Sequence, residues 1–152
     1  MRLLDGVNHI AGITPDLDRL TRFYRDVFDA EIEAVLDDGL RHAMIRLGPN
    51  TVLHPFELPE GVPLPDVAPM FRRGRLDHFA LNATGEDAFQ ELRGRIVAAG
   101  AGDGEIVDLG PGRSIGFRDP DGNELEVVLM KPDARWDEAL PPSGWVRTPM
   151  PA

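Results

Sequence analysis

Apolar and polar positions alternate, then recur every three or four residues, then alternate again, and the chain does this twice. Val7, His9, Ala11 and Ile13 fall on one face of an extended segment, with Asn8, Ile10 and Gly12 on the other. That two-residue period predicts a strand. Thr14-Pro15-Asp16 marks a helix start, with proline in the first turn and acidic residues suited to the helix dipole. Leu17, Leu20, Phe23, Tyr24, Val27 and Phe28 then trace the apolar stripe of a helix of about 13 residues. Strands are predicted over Glu31 to Leu36, Leu40 to Leu47 and Thr51 to Phe56, with turns at Asp37-Asp38-Gly39 and Gly48-Pro49-Asn50.

Prolines at 55, 59, 63, 65 and 69 exclude a helix from the next stretch and mark a linker or a loop over a site. The pattern then restarts. Leu76 to Ala83 reads as a strand. Glu86 to Ala99 reads as a helix with Ala88, Phe89, Leu92, Ile96 and Ala99 inward and Gly100 as its stop. Glu105 to Leu109, Arg113 to Arg118 and Glu124 to Met130 read as strands, the last two joined by the Asp119-Pro120-Asp121-Gly122 turn.

The halves align by counting. Adding 69 to His9 gives His78, and to Ala11 gives Ala80; adding 72 to Arg46 gives Arg118, and to His54 gives Glu126. The offset changes in the middle loops, where insertions are tolerated. The expected architecture is α+β: two βαβββ modules forming a curved, barrel-like mixed sheet around a cleft, with the helices outside. Module 1 spans residues 5–56, the linker 57–75 and module 2 residues 76–130. The tail, 131–152, carries five prolines (132, 141, 142, 149 and 151) with Trp136 and Trp145. It reads as extended and docked on this subunit or a neighbour, with disorder as the alternative.

Composition narrows the function. The chain has 152 residues, 42% of them hydrophobic, which suits one domain or two small halves. A formal net charge of −10 argues against nucleic acid and anionic membrane surfaces. There is no run of about 20 apolar residues, no secretory pattern after Met1 and no cysteine, so a cytoplasmic protein without thiolate ligands is expected. Arg72, Arg73 and Arg75 form a local basic patch, either solvated or facing an anionic substrate group.

Four residues stand out at repeat-equivalent strand positions: His9, His54, His78 and Glu126. In both modules they fall on the face turned away from the helix. A single strand histidine is more often structural than functional. Imidazole and carboxylate at four matched positions instead fit a divalent metal site. Glu124 shares the face of Glu126 and ranks second. His42 has only Ser114 as counterpart and reads as a solvent-facing or core-edge residue. Asp119 and Asp121 read as turn residues.

Asn8-His9-Ile10-Ala11, the helix end Phe23-Tyr24-Arg25-Asp26-Val27-Phe28, His78, and the run Phe117-Arg118-Asp119-Pro120-Asp121-Gly122-Asn123-Glu124-Leu125-Glu126 resemble the vicinal oxygen chelate superfamily over residues 5–130. That superfamily includes glyoxalase I, extradiol dioxygenases, epimerases, fosfomycin-resistance enzymes and bleomycin-binding proteins. The resemblance implies His9, His78 and Glu126 as metal ligands, with His54 as acid–base group or possible fourth ligand. Two histidines and one carboxylate favour Fe(II) or Mn(II); a closed four-ligand site would suit Ni(II), Co(II) or Zn(II). The implied substrate is a small molecule with adjacent oxygens, and the implied assembly a homodimer. His54 places a ring-cleaving dioxygenase reading slightly ahead of a glyoxalase-like isomerase, lyase or epimerase. A drug-binding protein comes third, since such binders do not require the ligand set.

Overall fold

The computed structural model describes residues 3, 6–64, 66–68, 72 and 76–151. The chain divides into two compact units, Met1–Asp66 and Val67–Ala152. The first contains β1 (His9–Thr14), α1 (Leu17–Phe28), β2 (Glu31–Asp37), β3 (Arg41–Gly48) and β4 (Thr51–Glu57) in a sheet of order β1-β4-β3-β2. The second contains β5 (Ala80–Asn82), α2 (Glu86–Ala98), β6 (Ile106–Asp108), β7 (Gly112–Arg118), β8 (Glu124–Met130) and β9 (Val146–Thr148), ordered β5-β8-β7-β6-β9. Without β9 the two topologies are identical, so the βαβββ repeat read from the periodicity is the fold. Among the described residues no helix is long and apolar enough to cross a membrane.

The first helix starts at Leu17, so Pro15, expected in its first turn, lies ahead of the N-cap. Asp16 is the N-cap and its carboxylate accepts from Arg19 N–H at 2.9 Å. Glu57, at the end of β4, accepts from Leu17 N–H at 2.7 Å, so the sheet supplies a second anionic cap. Arg41 bridges Glu57 and Asp18, tying β3 to the same turn. Leu17, Leu20, Tyr24 and Val27 are buried, with Ala43, Ile45 and Leu53 also in the core. Each such large apolar side chain contributes roughly 1.5–3 kcal/mol.

The second helix departs from its predicted face. Phe89, Arg93 and Ile96 are buried, while Leu92 is only half-buried and Ala99 is exposed. An arginine lies on the buried line because it has acceptors there: its guanidinium donates to Gly104 O, in the loop before β6, at 2.6 Å and to Thr148 O, in the tail, at 3.2 Å. Thr148 belongs to β9, which pairs antiparallel with β6 through Ile106↔Thr148 and Asp108↔Val146. The tail is therefore ordered and docked on its own module. It approaches closely at Gly110 (φ +100°), where an added Cβ would lie 2.8 Å from Glu138 O. Trp145 is half-buried, donating from Nε1 to Leu140 O at 2.9 Å, whereas Trp136 is exposed.

The strand predicted over Leu76 to Ala83 is shorter than its pattern, covering Ala80–Asn82. Its ladder to β8 is already long at Phe79, whose carbonyl accepts Glu126 N–H at 3.3 Å. His78 thus stands just ahead of its strand, while His9 opens β1.

Candidate metal centre

In the first unit, β1 runs parallel to β4 with His9↔Val52 and Ala11↔His54 in register. His9 and His54 are therefore diagonal neighbours, and their ring centroids are 5.9 Å apart. In the second unit, β5 runs parallel to β8 with Ala80↔Glu126 in register, and His78 lies two residues ahead of Ala80. His54 and Glu126 occupy matching ladder positions, opposite Ala11 and Ala80, whereas His9 lies within its ladder and His78 ahead of its strand. Each unit thus offers one donor pair, His9 with His54 and His78 with Glu126. Among the described residues no three His, Asp or Glu side chains are grouped closely enough to hold a metal ion.

The donor chemistry fits a divalent cation. His9 Nδ1 donates to Asn8 Oδ1 at 2.9 Å, and His78 Nδ1 donates to Asp77 Oδ2 at 2.9 Å. A neutral imidazole has one protonated nitrogen, so both rings carry their lone pair on Nε2. A ligating histidine is commonly oriented this way, by a carboxylate or carbonyl on its other nitrogen. The same device appears in both modules on the residue preceding the histidine. Glu126 is half-buried, as a ligating carboxylate can be. Glu124 is instead engaged by Arg118, whose Nε donates to it at 3.1 Å.

His54 has a different environment. Its Nε2 lies 2.9 Å from His42 Nδ1, and its ring centroid is 4.2 Å from that of Phe56. Burial, with His42 and His9 close by, pushes its pKa below the ordinary histidine value. His54 is thereby kept neutral, able to accept a proton or bind a cation.

Of the two places expected for His42 from the sequence, solvent-facing or core-edge, the structure excludes the first. His42 is 7% exposed, paired in register with Phe56, and stacked on it with centroids 5.1 Å apart. Its position on β3 puts it diagonal to His54 on the same sheet face. The signal was there in the strand alternation, since His42 is out of phase with the buried Ala43 and Ile45.

The turn residues behave as read. Asp119 Oδ1 accepts from Asp121 N–H and Asn123 N–H, both at 3.0 Å. Burial pushes its carboxyl upward despite these bonds. Arg72 is exposed, and Arg73 and Arg75 lie outside the described residues.

The family described as the Glyoxalase/Bleomycin resistance protein/Dioxygenase superfamily matches residues 6–127. The chain belongs to this superfamily. As a glyoxalase/dioxygenase-superfamily chain it is similar to a 2-epi-5-epi-valiolone epimerase of Actinomyces sp., 29% identical over 87% of this chain and 83% of that protein. It is similar in structure to a glyoxylase/bleomycin resistance protein/dioxygenase domain from Frankia sp. EAN1pec, with TM-score 0.63 and 25% identity over 86% of this chain and 95% of that one. A lactoylglutathione lyase from Agrobacterium tumefaciens gives TM-score 0.58 and 25% identity over 84% of this chain and 96% of that one. Superfamily relatives of this chain therefore include an epimerase and a lyase.

Proposed function

We propose that the protein is a divalent-metal-dependent epimerase or isomerase acting on a small substrate with adjacent oxygens, such as a hydroxyl beside a carbonyl. His9, His78 and Glu126 are the proposed metal ligands. A bound divalent cation would supply positive charge for the oxygens as negative charge develops on them. His54 is the proposed acid–base group, removing the proton from the hydroxyl-bearing carbon beside the carbonyl and returning one to the same carbon in epimerisation or to the former carbonyl carbon in isomerisation.

The observation that carries this reading is the placement of His54, in ring contact with the proposed ligand His9 and 2.9 Å from His42. Burial with these two imidazoles close by holds its pKa below the ordinary value, which favours the neutral ring at neutral pH. A base of this kind works at neutral pH. The similarity to an epimerase moves proton transfer ahead of the ring-cleaving dioxygenase reading that the sequence placed slightly in front. The dioxygenase reading keeps one point in its favour, the imidazole at position 54.

Solvent-deuterium exchange separates the two. The metal-loaded protein, incubated in D2O with a panel of small cyclic and acyclic hydroxyketones, is expected to wash deuterium into the carbon bearing the hydroxyl. Oxygen uptake with catechols, and no deuterium wash-in across the panel, would replace this reading with ring cleavage. Neither activity, with no metal retained, would leave ligand binding as the function.

A further inference from the structure

His42 has no task in the proposed proton transfer, although it is the most deeply buried histidine and touches His54 directly. A neutral imidazole has one N–H and one lone pair. The 2.9 Å approach of His42 Nδ1 to His54 Nε2 needs one proton between them. Either His54 donates and His42 accepts, or the reverse. The two arrangements leave His54 chemically different. In the first its Nδ1 holds a lone pair; in the second Nδ1 carries a proton and can neither take one up nor bind a cation.

A third group selects between them. Asp38 Oδ1 lies 3.3 Å from His42 Nε2, at the far side of the ring. The carboxylate favours a proton on that nitrogen. A neutral His42 protonated at Nε2 has only a lone pair at Nδ1, so it must accept from His54. Phe56 restrains the geometry, with its ring centroid 5.1 Å from His42 and 4.2 Å from His54. A rotation of either imidazole would disturb that packing.

We propose that His42, biased by Asp38, is a positioning residue that holds His54 as the Nε2–H tautomer and so leaves Nδ1 as its reactive nitrogen. The consequence for chemistry rests on the proposed role of His54 in proton transfer or metal binding; the tautomer itself does not. The arrangement parallels the orientation of His9 by Asn8 and His78 by Asp77, but reverses which ring nitrogen is held. His9 and His78 would act through Nε2, His54 through Nδ1.

The test is nitrogen-15 NMR of the imidazole groups in the metal-free protein, above pH 7, where His54 is neutral. The wild type is expected to show a single His54 tautomer, protonated at Nε2. His42→Phe keeps the stacking but removes the acceptor, and should give a mixture of tautomers. His42→Asn, whose side-chain oxygen can accept near the Nδ1 position, should restore the single form. On the metal-loaded protein, His42→Phe should lower kcat roughly 10- to 100-fold with KM within about twofold, the scale of losing a group that orients a site residue. His42→Asn should recover most of that loss. A wild-type His54 protonated at Nδ1, or a folded His42→Phe variant with unchanged tautomer and kcat, would overturn the proposal. The metal-free spectra decide the tautomer even if no epimerase activity is found, so the two readings fail separately.

Discussion

Ala80 is paired with Glu126 across parallel β5 and β8, as Ala11 is paired with His54 across β1 and β4. In each module a histidine, His9 or His78, lies two residues ahead of that alanine. One supersecondary unit, used twice, therefore places His54 and Glu126 at the same register, and the exchange of imidazole for carboxylate changes the chemistry at that shared ladder position. A neutral imidazole beside one histidine and a carboxylate beside the other is the asymmetry on which the proposed function depends.

The ligand assignment can be checked by metal content. After supply with Fe(II), Mn(II), Ni(II), Co(II) or Zn(II) in turn, the wild type is expected to retain about one ion per chain, bound by the three proposed donors. His78→Ala and Glu126→Ala should each weaken retention by at least about 100-fold, beyond what loss of a group that only orients a ligand causes. Full retention in both variants would rule these residues out as ligands.

His54→Ala separates base from ligand. A base should leave metal content unchanged while turnover falls about 10²- to 10⁴-fold. Loss of metal together with turnover would make His54 the fourth ligand.

The depressed pKa of His54 sets a pH signature. In the window between its folded value and the unfolded value of about 6.5, the unfolded chain binds more protons than the folded one. Stability should therefore fall as pH drops below about 6.5 and level off under the folded value. Its acid limb of activity should also lie below about 6.5. Asp119 acts in the opposite sense. Its raised carboxyl takes up protons in the folded state first, so its contribution increases as pH falls through that raised value. Histidine and carboxylate titration by NMR would show both directions.

A shared site between two subunits can be tested by mixing. If the protein is a homodimer whose sites draw on the first module of one chain and the second of the other, His9→Ala and His78→Ala protomers should complement. The mixed dimer would hold one intact site and one lacking both histidines. No recovery of metal or activity on mixing, with exchange of protomers verified, would place each site within a single chain.

Arg93 holds the tail. Replacing it with Met keeps the volume and removes donors to Gly104 O and Thr148 O. A cost of about 1–3 kcal/mol is expected from carbonyls left without their charged donor. Amides of Val146–Thr148 should exchange faster with solvent than in the wild type, while those of β3 and β4 should not change.

The sequence by itself determined the repeat, both helices, most strand boundaries and the four matched positions, because strand and helix periodicities and capping residues are local. It also determined the Asp119 turn, which one carboxylate organises within five residues. What it left to the tertiary structure depended on partners far along the chain. Arg93 could not be read as an interior residue until β9 brought a carbonyl from 55 positions away. The first strand of module 2 could not be shortened without its ladder to β8. His42 could not be joined to His54 until the antiparallel register of β3 and β4 set them diagonally on one face. Periodicity states which side of a strand a residue occupies; only strand pairing states what it meets there.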